Sequence, residues 1–439
     1  MLLLVSLLAA GASAQWLETT IPIGGWPEAI CYNSANNRVY CESQGDSGYA
    51  IVVIDGATNL IVAEVAVEDD IFGLCYNPAA NKIYCSYWND AVVSVICGAG
   101  DTVITNTSVQ DSRWVMCCDS ARNKMYCVGD TGTVTVICGT GDTVLASLRV
   151  GSAGRSVSVS PDHGKVLCGM VSGTDLDTLV VFDCDSDSVV ARLRVYEEPT
   201  EICYNPANGC AYCLADYDQA MSVVDCATNQ PVTLIDVGYG QASVCCAPAE
   251  NKLFCTTYNG GMFVIDARSN TVVDSLQLSS STGELFCNPL NDKVYCASYY
   301  GDSTVTVVDA ATNAVLMAIE VGVSPIGFAH NPVQNRVYVA NFGDSSISVI
   351  RDSGGGVTET MKDKRATMNA GPTVVRGALM LDAVSIRQNA GCRAELLDIS
   401  GRNVLDLHPG VNDVRALPPG VYFVREAQAQ AVHKVVLTW

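Results

Sequence analysis

The chain is short of positive charge. It carries 25 Lys plus Arg against 46 Asp plus Glu, a formal net charge of −21, and such an excess repels a phosphate backbone instead of neutralising it. A nucleic-acid partner is therefore not expected. Histidine is scarcer still, with four in 439 residues. His408 and His433 lie near the C-terminus, His163 replaces a turn residue, and His330 fills a slot held elsewhere by Tyr32 and Tyr76, so no histidine cluster is available for haem or metal. Beyond the N-terminus no run of about eighteen apolar residues occurs, and no membrane-spanning helix is expected. No CxxC faces a second CxxC at zinc-site spacing.

What is present is repetition. An apolar-aromatic-Cys run closes a turn at Cys41, Cys85, Cys127, Cys168, Cys213, Cys255 and Cys296, with Val339 in the same slot, at steps of 44, 42, 41, 45, 42, 41 and 43 residues. A period of this length means stacked supersecondary units that share one core. In the unit starting at Gly283, four β-rich runs alternate with turns at Asn288-Pro289, Gly301-Asp302-Ser303 and Thr312-Asn313. Apolar residues alternate and Val, Ile, Thr and Tyr dominate, which rules out helical repeats. Four antiparallel strands repeated radially make a propeller blade.

Eight sets of three strands begin near Glu28, Phe72, Val115, Ser156, Glu201, Ala242, Glu284 and Ile326. The eighth lacks a fourth strand, whereas residues 16–23 read as a fourth strand with nothing before it. The two ends are expected to complete one blade, which removes an open sheet edge. The expected fold is an all-β, eight-bladed β-propeller, with seven blades as the alternative, followed by a small β-sandwich.

Four segments are expected: a signal peptide at 1–14, the propeller at 15–352, a linker at 353–370 and a C-terminal β-sandwich at 371–439. The first combines an apolar stretch with Ala12 and Ala14 at signal-peptidase spacing, so the chain is expected to be secreted or attached to the outer cell surface. The texts YNPAANKIYC, CNPLNDKVYCASYYGDSTVTVVDAATN and NPVQNRVYVANFGDSSISVI resemble the YVTN family of propeller repeats, known from archaeal and bacterial surface proteins. That resemblance implies the propeller fold and no particular activity. The text LLDISGRNVLDLHPGVNDVRALPPGVYFVRE, followed by HKVVLTW, resembles the C-terminal sorting domains of the type IX secretion system, with Gly401, Gly410, Gly420, Tyr422 and Lys434 at the pattern positions. This resemblance implies a partnership with export and sorting machinery.

The 21 cysteines admit three readings. Those sharing a slot with Val339 look like small core hydrophobes. Cys31, Cys75, Cys117, Cys203 and Cys245 each lie ten residues upstream of one of them across a tight turn, which leaves cross-strand disulfides open. Metal ligation is the third.

Few residues suggest chemistry. Gly45-Asp46-Ser47-Gly48 resembles a protease nucleophile loop, but Gly-Asp-Ser recurs at the same turn of other blades and reads as a turn. Asp55, Asp183, Asp225, Asp266 and Asp309 recur at one strand end and are expected to cap turns. Lys82, Lys124, Lys165, Lys252 and Lys293 are expected to pair with those aspartates, weakly where exposed. Binding residues are expected in the loops that break the repeat: Trp26, Asp69, Asp70, Trp114, Glu197, Glu198 and Tyr239. They would place carboxylates and aromatics at the mouth of the central channel. The reading that results is a non-catalytic binding or surface scaffold without a cofactor, calcium being the one ion considered, whose partner is an unidentified protein, peptide or glycan. The alternative is a lyase or lactonase-type propeller enzyme with a metal at the acidic mouth.

Overall fold

The computed structural model describes residues 15–352 except 46–47, 172–176, 196–197, 216–219, 279–280 and 299–300, and parts of a second unit between 373 and 437. The expected signal peptide and linker lie outside the described residues. The chain divides into Met1–Thr358 and Glu359–Trp439.

The first unit contains eight four-stranded antiparallel sheets. Their inner strands are Ile30–Asn33, Ile71–Asn77, Val115–Asp119, Ala153–Ser160, Pro199–Asn205, Gln241–Ala247, Leu285–Asn288 and Pro325–Asn331. They define blades 1 to 8. Each inner strand meets those of the blades before and after it, and Ile30–Asn33 meets both Ile71–Asn77 and Pro325–Asn331, so the ring closes at eight. Seven is excluded. The last blade is composite: Gln15–Pro22 pairs antiparallel with Ser346–Asp352, Gln15 opposite Asp352 and Pro22 opposite Ser346. The Gln15 side-chain amide donates to Asp352 at 2.9 Å and fixes that register.

The Asn-Lys signature has a backbone cause. Asn37, Asn81, Asn123, Asn251, Asp292 and Asn335 take positive φ between the first two strands, a conformation that short polar side chains tolerate best; Gly164 and Gly209 fill the slot in blades 4 and 5. One turn earlier, Asn33, Asn77, Asn205 and Asn288 accept the amide two residues on and donate to the left-handed Asn of the next blade at 2.7 to 3.0 Å. A single amide thus closes its own turn and ties two blades.

A second tie uses the basic residue and the Tyr of the second strands of blades 1, 2, 3 and 8. Lys82 reaches the Gly139 carbonyl at 2.8 Å and Asp142 at 2.7 Å, and the buried Tyr84 hydroxyl donates to Asp142 at 2.9 Å. Lys124 and Tyr126 grip Asp187 in the same way, Arg38 and Tyr40 grip Asp101, and Arg336 with Tyr338 grips the turn of Gly56, Ala57 and Asn59. The expected pairing with the recurring aspartates therefore holds only for Lys165 with Asp183 and Lys293 with Asp309. Elsewhere the cation crosses to the next blade, because its stem runs over the turn of that blade. The recurring aspartates cap turns as expected: Asp55 accepts the Ala57 and Thr58 amides, and Asp225 accepts those of Ala227 and Thr228.

The core lies between blades. Tyr40, Val53, Ile83 and Cys85, for instance, pack in one cluster from blades 1 and 2. Cys41, Cys85, Cys127, Cys168, Cys213, Cys255 and Cys296 are buried, behaving as small hydrophobes. Hairpin disulfides do not form among the described residues. The register pairs Cys31 with Tyr40, Cys75 with Tyr84, Cys117 with Tyr126 and Cys203 with Tyr212, one residue off the cysteine expected opposite, so the two sulfurs point to opposite sheet faces.

The second unit has a five-stranded sheet and a two-stranded one. Gly410 opens the strand Gly410–Asp413, Gly420 and Tyr422 lie in Gly420–Glu426, and Lys434 lies in Val432–Leu437 opposite Phe423. Gly401 lies outside the described residues.

Candidate functional site

The ring has two faces. Turns after strands one and three form the clamp face, where the ties described above are made. Connections after strands two and four form the mouth face, where the repeat breaks.

On the mouth face, register shifts free one residue near the start of several inner strands: Phe72, Arg155, Thr200, Ala242 and Ile326 are skipped in the pairing. An unpaired residue bends its strand and re-aims its side chain. Phe72, Arg155 and Thr200 line a channel cavity of about 410 Å³ together with Met116, Glu201 and Glu284. Glu201 accepts the Val244 amide at 2.8 Å and the Ser243 hydroxyl at 3.4 Å, and that hydroxyl accepts the Leu285 amide at 3.2 Å. Burial, then the charge of Glu284, pushes the Glu201 carboxyl well up from the usual range, and burial raises Glu284 in the same way. The Glu284 side chain itself is exposed to the cavity it lines.

Blade 1 contributes a third high carboxyl. Glu42 is 2% exposed and accepts the Glu28 and Ala29 amides at 3.2 and 3.1 Å. Burial outweighs those bonds and pushes it up to about 8.

The rim above blades 2 to 4 is a chain of rings and charges. Phe72 stands edge-on to Trp88 at 4.8 Å, the Arg113 guanidinium lies 4.7 Å from the Trp88 ring, and Asp130 accepts Arg155 at 3.1 Å with Arg113 at 3.7 Å. A cation over an indole face is held by the ring quadrupole.

The residues expected at the mouth have diverse fates. Trp26 is 51% exposed and leans on Phe342 at a ring separation of 6.2 Å. Tyr239 is 66% exposed between Gly238 and Gly240, both at positive φ. Asp69 accepts the Asp70 amide at 2.8 Å, while burial and then the charge of Asp69 raise Asp70. Asp70 in turn raises Glu28, after burial. Trp114 presents no ring to the mouth: it is 0% exposed, and its indole N–H donates to the Asp111 carbonyl at 2.6 Å. Glu198 sits at positive φ, and Glu197 lies outside the described residues. Among the described residues no three His, Cys, Asp or Glu side chains converge as a metal site requires, and no helix is long and apolar enough to cross a membrane.

Sequence reasoning missed the channel carboxyls and the Arg113 to Trp88 contact. A usable signal existed. Aligned blade by blade, Glu201 and Glu284 fill one slot that other blades give to Ala29, Gly73, Val115, Ser156, Ser243 and Gly327.

No protein-family model matches the chain, and no curated protein is similar to it in sequence. Solved structures are similar in fold. The computationally designed Ika8 protein matches at a TM-score of 0.60 and 15% identity, over 76% of this chain and 98% of that one. Sqt1 of Saccharomyces cerevisiae matches at a TM-score of 0.63 and 12% identity, over 77% and 98%. At such identities the likeness speaks to the fold alone, and the chain is an eight-bladed β-propeller protein.

Proposed function

We propose that this protein is an exported, non-catalytic propeller that serves as a binding or cell-surface scaffold and takes a protein, peptide or glycan at its mouth face. One observation carries the reading. Turn side chains of the clamp face are occupied by blade-to-blade ties, whereas the mouth face leaves the rings of Trp26, Phe342 and Tyr239 exposed beside an acidic channel entrance. Exposed rings among carboxylates suit a sugar stacked on an aromatic or a cationic peptide.

The experiment is a glycan and peptide array probed with the full-length protein and with Trp26→Ala and Tyr239→Ala. Specific ligands whose binding falls at least about tenfold in either variant support the reading. No specific ligand, or ligands indifferent to both substitutions, would overturn it. The YVTN-like repeats and the sorting-type features at Gly410, Gly420, Tyr422 and Lys434 support export. Removing residues 371–439 is expected to leave the protein inside the cell, and undiminished appearance outside would defeat that part of the proposal.

A further inference from the structure

At the clamp-face end of the channel, thiols replace carboxyls. Cys203, Cys245, Cys246 and Cys287 line a cavity of about 600 Å³ between the inner strands of blades 5, 6 and 7. All four are half-buried, unlike the sealed second-strand cysteines. Cys246 stands in the slot that blades 1, 2 and 5 give to Tyr32, Tyr76 and Tyr204. Losing the ring brings its sulfur within reach of the neighbouring blade. Its thiol donates to the Tyr204 carbonyl at 3.3 Å and the Cys203 thiol reaches the same oxygen at 3.9 Å, so the two sulfurs converge on one acceptor across the blade boundary.

From this geometry we infer that Cys203 and Cys246 form a thiol–disulfide exchange centre that reacts with small disulfides and closes to a bridge between blades 5 and 6. Cys246 is the attacking sulfur. Once Cys246 has lost its proton, the Cys203 thiol can turn from the Tyr204 carbonyl and donate to the thiolate, which holds Cys246 below the usual thiol range; that hydrogen bond first, and then burial, push Cys203 well up. The Cys246 thiolate attacks one sulfur of the small disulfide and expels the other half as a thiolate, leaving a mixed disulfide. Cys203 then gives up its proton and attacks the Cys246 sulfur, expelling the second half. Two protein thiols are oxidised by two electrons and the small disulfide is reduced to two thiols. This centre is independent of the binding proposed at the mouth.

The molecule supplies its own comparisons. Cys75 with Cys118, and Cys245 with Cys287, fill the same two slots of neighbouring blades, and Cys118 raises Cys75 as Cys287 raises Cys245, but among the described residues only Cys203 and Cys246 converge on one carbonyl. The test treats the folded full-length protein with oxidised glutathione, blocks remaining thiols by alkylation and reads peptides by mass. The Cys203–Cys246 bridge is expected to accumulate at least about tenfold faster than either comparison pair. Cys203→Ser is expected to hold glutathione stably on Cys246, and Cys246→Ser to leave Cys203 unmodified on the same timescale. Bridging no faster than in the comparison pairs would overturn the inference, as would a folded Cys203→Ser protein without glutathione on Cys246. Should either variant fail to fold, the wild-type rates decide alone.

Discussion

Asp142 and Asp70 are turn aspartates of neighbouring blades, one on each face of the ring. Asp142 receives the Lys82 ammonium and the Tyr84 hydroxyl from the preceding blade, whereas Asp70 is raised by burial and by Asp69. Trp114 and Trp26 divide in a similar way, one sealed in the core and one leaning on Phe342 in solvent. The clamp face uses its polar groups to hold the ring together. The mouth face also has cross-blade bonds, such as Glu201 to Val244, but it exposes rings at Trp26 and Tyr239 that contribute little to holding the ring, and such groups are retained on a scaffold for what they touch outside it.

Substitutions can break or sharpen this contrast. Trp114→Ala removes a fully buried ring and its hydrogen bond, and is expected to cost about 3–5 kcal/mol in denaturant unfolding. A cost below about 1 kcal/mol would mean the indole is not structural. Glu42→Gln is next, and its effect depends on pH. The folded carboxyl is raised from 4.5 to about 8, so the unfolded chain ionises first and the fold loses stability as pH climbs through that window. Gln keeps an acceptor for the Glu28 and Ala29 amides and does not titrate. The variant should match wild type near the bottom of the window and exceed it by a few kcal/mol near the top, on the scale of about 1.4 kcal/mol per unit shifted. Melting curves that stay parallel across this range would contradict a buried, high Glu42.

Lys82→Ala should cost about 1–2 kcal/mol, because it strands Asp142 in a contact where both side chains are largely buried. The same unfolding measurement showing no loss would demote the clamp to a surface pair. Trp26→Ala is expected to change stability by less than about 0.5 kcal/mol while weakening ligand capture at least about tenfold. A large loss of stability would erase the distinction between the two faces.

Blade count and ring closure were legible because the Asn-Lys turn and the buried Tyr-Cys strand recur in text, and residues 16–23 lacked partners of their own. Cross-blade relations were less legible. Lys82 lies nearer in sequence to its own blade's turn at Cys97 and Gly98 than to Asp142, and only the stagger of adjacent sheets sends it forward. The cysteine reading turned on a shift of one residue: Cys31 faces Tyr40, and spacing alone cannot distinguish that from facing Cys41. Trp114 was placed at the mouth because it follows an irregular loop. The ring turns inward there, since the Asp111 carbonyl offers its N–H a partner. Glu201 and Glu284 carry no local motif and stand out only once the blades are superposed.

The pairing of Gln15–Pro22 with Ser346–Asp352 has a temporal consequence. A ribosome must deliver well over three hundred residues between the two halves of that sheet, so the earliest strand waits, unpartnered, for the last one to be synthesised. Until then the assembly is an arc with two raw ends. Whatever escorts the nascent polypeptide meets that arc, and the finished annulus exists only after its final arrival.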